Sequence, residues 1–159
     1  MTFETILYET RGPVGLLTFN RPESLNAFSV RLIDEVGVVP AVNQIQLSPA
    51  VARREVRVFH DKVGIVTQAW SPLGRQQRLT DDPTIGALAK EYGRSPAQIM
   101  LRWDVQQGIV TIPKSSDPER QRANASVFNF ELSDDAMERL AAMDRGDQAG
   151  ADSDRHEEF

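Results

Sequence analysis

From Val38 onward the chain alternates short apolar runs with amphipathic stretches that open on a capping residue followed by proline, and few architectures accept that rhythm. Residues 42–47, 65–69 and 109–113 read as strands, the last of them buried. Asp82-Pro83, Ser95-Pro96 and Asp117-Pro118 each set a side-chain oxygen at a helix cap ahead of a proline at the first helical position. There the missing N–H of proline costs nothing. Ser48-Pro49 reads as a further helix start, with Val51, Val58 and Phe59 on the apolar face and Gly64 closing the helix. Helices are also expected from Pro83 to about Tyr92, from Pro96 to near Gly108, and from Ser133, which has two acids in the first turn. Such alternation implies parallel strands joined by right-handed crossovers, with helices packed on the sheet. Three βα units result, whereas a closed (β/α)8 barrel needs eight strands and typically about 250 residues. The pattern alone therefore leaves two architectures, a piece of a larger α/β assembly or an open sheet.

The first thirty residues follow a different rule. Residues 4–10 and 14–19 are β-prone and flank Arg11-Gly12-Pro13, a hairpin signature. At the other end, residues from about Arg145 are rich in Asp, Gly and Glu and read as a flexible acidic tail, 145–159. With 159 residues, 40% apolar and 26% charged, the chain has the composition of a globular domain. A net charge of −5 argues against a nucleic-acid partner but not against a small phosphate-bearing ligand. Without cysteine there is neither a disulfide framework nor a thiolate metal site, and no metal centre is expected. The N-terminus lacks the features of a signal peptide, and no apolar stretch approaches the roughly 18–20 residues of a membrane span. These features predict a soluble, cytoplasmic protein with no membrane partner.

Chemistry concentrates at Ile112-Pro113-Lys114-Ser115-Ser116-Asp117-Pro118-Glu119-Arg120. A strand there ends in a cation and two hydroxyls just before a helix N-terminus, where unpaired N–H groups favour an anion. Lys114 supplies a point charge, and Arg120 can fork onto a phosphate. A capped helix with ordinary surface charges accounts for the same spacing, and Asp117 disfavours an anion unless its carboxylate is occupied by backbone donors.

Three segments in order, residues 40–49 (Pro40-Ala41-Val42-Asn43-Gln44-Ile45-Gln46-Leu47-Ser48-Pro49), 69–74 (Ala69-Trp70-Ser71-Pro72-Leu73-Gly74) and 112–115, resemble strands six, seven and eight of the aldo-keto reductases. Residues 95–98, Arg102-Trp103 and residues 128–132 extend the resemblance, which is nearest to the 2,5-diketogluconate-reductase-like branch. It implies an incomplete TIM (β/α)8-type barrel of about three βα units, residues 31–144, behind an N-terminal β-hairpin. It also implies NADP(H) as cofactor. By this resemblance Gln44 bonds the nicotinamide carboxamide, Trp70 stacks on its ring, and Ser71 and Leu73 belong to the pyrophosphate loop. Lys114, Ser115 and Arg120 grip the 2′-phosphate, and Asn124 contacts the adenine. The family's adjacent adenine contact, usually Glu or Gln, is Ala123 here.

Residues 15–27 (Gly15-Leu16-Leu17-Thr18-Phe19-Asn20-Arg21-Pro22-Glu23-Ser24-Leu25-Asn26-Ala27) instead resemble the opening of enoyl-CoA hydratases and other crotonases, so residues 1–30 read as a crotonase-like segment. The joint then falls between Phe28 and Gly37, and Glu23 and Glu35 read as solvated surface. Aldo-keto reductases protonate the carbonyl from a Tyr tuned by an Asp–Lys pair and aided by a His, all from the first half of the barrel. Tyr8, Tyr92, His60 and His156 match none of these, and no catalytic residue is expected. The sequence reading is thus a chimera whose inherited function is NADPH binding within a carbonyl-reducing oxidoreductase class, with a small carbonyl compound as the parent family's substrate. Two rivals stand beside it: a crotonase-like acyl-CoA-binding fragment, and a non-enzymatic fold that self-associates through open strand edges.

Overall fold

The computed structural model describes residues 3–21, 30–74 and 77–150. These fall into two compact units, one ending at Ala41 and one spanning Val42–Gly150.

In the first unit, β1 (Ile6–Arg11) and β2 (Val14–Phe19) pair antiparallel from Ile6↔Phe19 to Arg11↔Val14. Gly12, at φ 61°, supplies the left-handed residue that opens this two-residue turn. Helix α1 (Val30–Val36) follows, and Ile6, Leu32 and Ile33 are buried. Glu35 is the polar counterpart of that small core. Its carboxylate accepts the Glu4 N–H (3.1 Å), the Thr5 N–H (2.9 Å), the Thr5 hydroxyl (2.8 Å) and Arg31 Nε (2.8 Å). Reading Glu35 as solvated surface is therefore corrected, because the partners that desolvate it come from β1's approach, some thirty residues away in sequence. Glu23 lies outside the described residues.

The second unit is a parallel sheet in the order β3-β4-β5, formed by Val42–Gln46, Val66–Trp70 and Val110–Thr111. The expected parallel arrangement is observed, with Gln44↔Gln68, Gln46↔Trp70 and Ala69↔Thr111 in register. Helices α2 (Arg54–Val63), α3 (Pro83–Tyr92), α4 (Pro96–Gln106), α5 (Pro118–Ala125) and α6 (Asp134–Ala141) connect and follow the strands. The sequence-read caps form as expected. Asp82 accepts from the Thr84 and Ile85 N–H groups, Ser95 closes a capping box with Gln98, and Ser133 caps α6. Leu47, Ala69, Ile85, Leu88, Ile99, Met100, Trp103 and Leu140 lie in one buried core.

Two expectations fail here. Helix α2 does not open at Ser48-Pro49: Ser48 and Val51 instead exchange backbone hydrogen bonds in a tight bridge (3.2 and 2.9 Å), and the helix starts only after Arg53, held at φ 49°. Val51 is buried ahead of the helix, and Val58 is 68% exposed rather than on its apolar face. Nor is the third strand buried on both sides. Helices cover the face carrying Ile45, Thr67, Ala69 and Thr111. On the alternate face Val42, Val66, Val110 and Ile112 are each 42–47% exposed.

The acidic tail is also shorter than expected. Arg145 N–H donates to the Ala50 carbonyl (3.0 Å), the Arg53 guanidinium reaches the Asp147 carbonyl (3.3 Å), and Gln77 donates to the Ala149 carbonyl (2.9 Å). Residues 145–150 are thus strapped to the unit, while 151–159 lie outside the described residues. No described helix is long and apolar enough to cross a membrane.

Candidate functional site

Parallel strands send their carboxyl ends to one edge of a sheet, and the loops beyond them gather there. Gln44 and Trp70 occupy the same open face of adjacent strands, since Gln44 pairs with Gln68 and Gln46 with Trp70. Gln44 stands mid-strand rather than at the strand end, because β3 continues to Gln46, and its amide donates to Gln68 Oε1 at 3.0 Å. Trp70 is the last residue of β4 and half-buried.

The loop beyond Trp70 is tightly specified. Ser71 adopts φ 50°, and its carbonyl accepts the Gly74 N–H at 2.9 Å. Gly74 is left-handed at φ 68°, and a Cβ there would meet Leu79 Cδ1 at 2.5 Å. Leu73 packs against the core, which anchors the loop from below.

Beyond β5, Lys114 is exposed and has no ion pair among the described residues. Ser115 Oγ accepts the Asp117 N–H at 3.2 Å, fixing the approach to α5. Asp117 Oδ1 accepts the Glu119 and Arg120 N–H groups (2.8 and 3.3 Å), so the cap occupies two donors at the helix N-terminus. Its other oxygen holds Arg120 Nε only loosely, at 3.7 Å, and Arg120 remains 80% exposed. Asn124 lies one turn further, on the same helix face as Arg120. The positive charge of this segment therefore sits on Lys114 and Arg120, while two of the helix N–H groups are already occupied.

The tyrosine and buried histidine of this unit have structural duties. The Tyr92 hydroxyl donates to Ser133 Oγ (3.0 Å) and accepts the Ser133 N–H (2.9 Å), tying α3 to the start of α6. His60 is fully buried between Asn43 Nδ2 (2.9 Å from Nε2) and Thr67 Oγ1 (2.8 Å from Nδ1). With Asn43 donating to Nε2, the ring proton sits on Nδ1. Desolvation pushes the imidazole below its ordinary pKa, and Asp61 opposes this only in part. Tyr8 is exposed on β1, and His156 lies outside the described residues.

Sequence reading missed this Asn43–His60–Thr67 chain. It also missed the clamp in which Gln106 bonds both the carbonyl (2.8 Å) and the N–H (3.0 Å) of Leu132. The available signal was polar residues at helix-facing positions of otherwise apolar elements. No group of three or more candidate metal ligands occurs among the described residues. A groove of about 290 Å³ lined by Arg57, Asp61, Trp103 and Gln107 lies on the helical side, and none of the candidate site residues lines it.

The sequence model described as the aldo/keto reductase family matches residues 24–145. The chain belongs to the aldo/keto reductase family. It is 48% identical over 146 residues to 2,5-diketo-D-gluconic acid reductase B of Corynebacterium sp. (strain SHS752001), a match covering 92% of this chain and 51% of the relative. It is 40% identical over 126 residues to methylglyoxal reductase DkgA of Escherichia coli (strain K12), covering 79% and 46%. A crystal structure of a Gox0644 variant in complex with NADPH superposes with a TM-score of 0.74 at 41% identity, covering 82% of this chain and 50% of that one. The chain spans about half the length of the aldo/keto reductases it matches. The family resemblance read from the three motifs is thus borne out.

Proposed function

We propose that residues 31–144 are the NADP(H)-binding portion of an oxidoreductase acting on aldehydes and ketones, built as an incomplete (β/α)8-type barrel and working in the cytoplasm. The observation that carries this reading is that Trp70, the 71–74 loop and the 114–124 segment follow the carboxyl ends of adjacent parallel strands, with Gln44 on the same sheet face as Trp70. The residues suit a phosphorylated dinucleotide. Gln44 would hold the carboxamide and Trp70 the nicotinamide face, with Ser71 and Leu73 beside the pyrophosphate. Lys114, Ser115 and Arg120 would take the 2′-phosphate, the two cations being exposed and at most loosely paired. Asn124 would meet the adenine, where Ala123 offers no side-chain hydrogen bond. When bound, the nicotinamide supplies the hydride; these side chains only hold and orient it.

Titration of the folded chain with NADPH and NADH tests the reading. A charge-assisted bond contributes roughly 1.5–3 kcal/mol, so Arg120→Ala is expected to weaken NADPH about tenfold or more and to leave NADH nearly unchanged. Equal losses for both cofactors, or no binding by the unaltered chain, would overturn it. We also infer that these residues alone do not reduce carbonyls, because the Tyr92 hydroxyl is committed to Ser133 and no Asp–Tyr–Lys–His set is present. Following NADPH oxidation with aldehydes and diketones tests this inference. Turnover of roughly 1–10³ s⁻¹ would sink it.

A second reading takes the chain as a crotonase-like acyl-CoA-binding fragment, supported by residues 15–27. The match to 2,5-diketo-D-gluconic acid reductase B covers 92% of the chain and so reaches into that stretch, which weighs against a foreign origin for all of it. Acyl-CoA binding by the chain would favour this reading. Concentration-dependent association without nucleotide binding would favour the third, a fold that only self-associates through its open strand edges.

A further inference from the structure

Backbone strain in the α/β unit gathers at the carboxyl ends of β3 and β4. Among the described residues, the non-glycine positions with positive φ are Arg53 (49°), Ser71 (50°) and Arg78 (48°), all in the loops that follow these two strands. Such conformations persist where the surrounding structure over-determines them. Here the surroundings are the C-terminal strap. Asp144 Oδ1 accepts the Ala52 N–H (3.2 Å), its other oxygen pairs with Arg54 Nε (3.3 Å), and the Arg145 N–H donates to the Ala50 carbonyl (3.0 Å). Arg53 has a side chain only 14% exposed. Its guanidinium donates to the Gln46 carbonyl at the end of β3 (3.3 Å) and to the Asp147 carbonyl of the strap (3.3 Å). Gly150 packs so closely on it that a Cβ there would meet Arg53 Nη2 at 2.6 Å.

Gln77 carries the strap's hold across to the loop after β4. Its side-chain Nε2 donates to the Ala149 carbonyl (2.9 Å), its Oε1 lies 3.5 Å from the Ser48 hydroxyl, and its backbone N–H donates to the Gly74 carbonyl (2.5 Å). Ser48 is fully buried in the turn after β3, and the Gly74 N–H closes the 71–74 turn on the Ser71 carbonyl (2.9 Å). One residue thus joins the strap, the β3 loop and the turn that follows Trp70. The 114–124 segment is fixed by bonds of its own. The Asp117 N–H donates to Ser115 Oγ (3.2 Å), and Gln121 Nε2 donates to the Ser115 carbonyl (2.7 Å).

We propose that Gln77 is a positioning residue for the nicotinamide and pyrophosphate half of the cofactor: it latches the 71–74 turn to the 144–150 strap, which Arg53 moors to β3. The proposal rests on the cofactor reading above. Ser71 is held left-handed, so the turn has relaxed alternatives that point its polar groups elsewhere. Opening the latch admits those alternatives, and affinity falls with the fraction of molecules that keep the binding turn. The adenine and 2′-phosphate end meets a segment that is held separately, and its affinity is spared.

The experiment measures affinity and dissociation rate for NADPH and for adenosine 2′,5′-bisphosphate, which carries the adenine and 2′-phosphate but neither nicotinamide nor pyrophosphate. Hydrogen exchange of the Gly74 amide is followed in the same samples. The full chain is compared with Gln77→Met, which keeps the side chain's length and removes its donor, and with Arg53→Met. Gln77→Met is expected to weaken NADPH about threefold or more, as when a third of the molecules keep the binding turn. NADPH then leaves faster, exchange at Gly74 quickens, and adenosine 2′,5′-bisphosphate affinity stays within about twofold. Arg53→Met frees the strap at its other mooring and gives the same selective loss, should Gln77→Met not fold. Equal losses for the two ligands mean that Gln77 supports the whole unit and overturn the proposal, as does unchanged NADPH affinity in Gln77→Met. If the unaltered chain binds neither ligand, the cofactor reading fails. Exchange at Gly74 still decides the latch: quickening in Gln77→Met upholds it, and no change overturns it.

Discussion

The two units hold themselves together by different means. Val42–Gly150 buries a continuous set of side chains around Trp103, Met100 and Leu140, and its helix starts are satisfied by Asp82, Ser95, Asp117 and Ser133. The hairpin unit buries Ile6, Leu32 and Ile33 but leaves Leu7, Tyr8, Val14, Leu16, Leu17 and Phe19 exposed. Among its described residues one carboxylate, Glu35, gathers donors from Glu4, Thr5 and Arg31. Apolar burial is spread over many contacts, and losing one weakens the whole by degrees. A polar knot concentrates its effect on a single group and becomes sensitive to whatever titrates that group.

The largest break in this comparison is expected from Trp103→Ala, which should cost the α/β unit about 3–5 kcal/mol in urea denaturation followed by circular dichroism. Leu16→Ala on the exposed hairpin should stay within about 0.5 kcal/mol. A comparable loss at Leu16 would mean that the hairpin's apolar surface is covered in solution. Gly74→Ala comes next, at about 1–3 kcal/mol, because it forces a side chain into a left-handed residue against Leu79.

Acid distinguishes the units further. Desolvation alone would raise the Glu35 carboxyl, but hydrogen bonds from Thr5, Glu4 and Arg31 outweigh it and hold the group at about 2, against an ordinary 4.5. Its stabilisation is therefore complete above about pH 4.5 and is lost as pH falls toward 2. Protection of the β1–α1 amides should follow that window, and in Glu35→Gln the dependence should vanish. The depressed His60 behaves otherwise: the unfolded chain begins to take up its proton below about pH 6.5, while the buried ring resists. The melting-temperature advantage of the unaltered chain over His60→Gln should narrow as pH falls from that point. The smallest effect is expected at the exposed Arg78–Asp81 pair, where Arg78→Ala should change stability by less than about 0.5 kcal/mol.

Local signals carried the parts of this molecule that local physics decides. The hairpin turn at Gly12, the capping prolines and the parallel strand order were legible because each depends on a few adjacent residues or on periodicity. Ser48-Pro49 misled for the same reason: it has the form of a helix start, but the buried Ser48–Val51 bridge wins and postpones α2 to Arg54. The candidate site was legible as motifs, whereas the looseness of the Arg120–Asp117 pair and the mid-strand place of Gln44 needed the structure. Glu35 and His60 stayed hidden because their partners, at Thr5 and Asn43, are close only after the chain has folded.

The Asn43–His60–Thr67 chain also makes the molecule self-reporting. An imidazole whose two nitrogens are both engaged away from water has one fixed tautomer and a slowly exchanging ring proton. In a chain with two histidines, nitrogen-labelled imidazole gives a simple spectrum, and the His60 signals in it read out directly whether β3, α2 and β4 are assembled. Any variant or truncation can then be judged for the integrity of this layer in one measurement, without cofactor, substrate or assay.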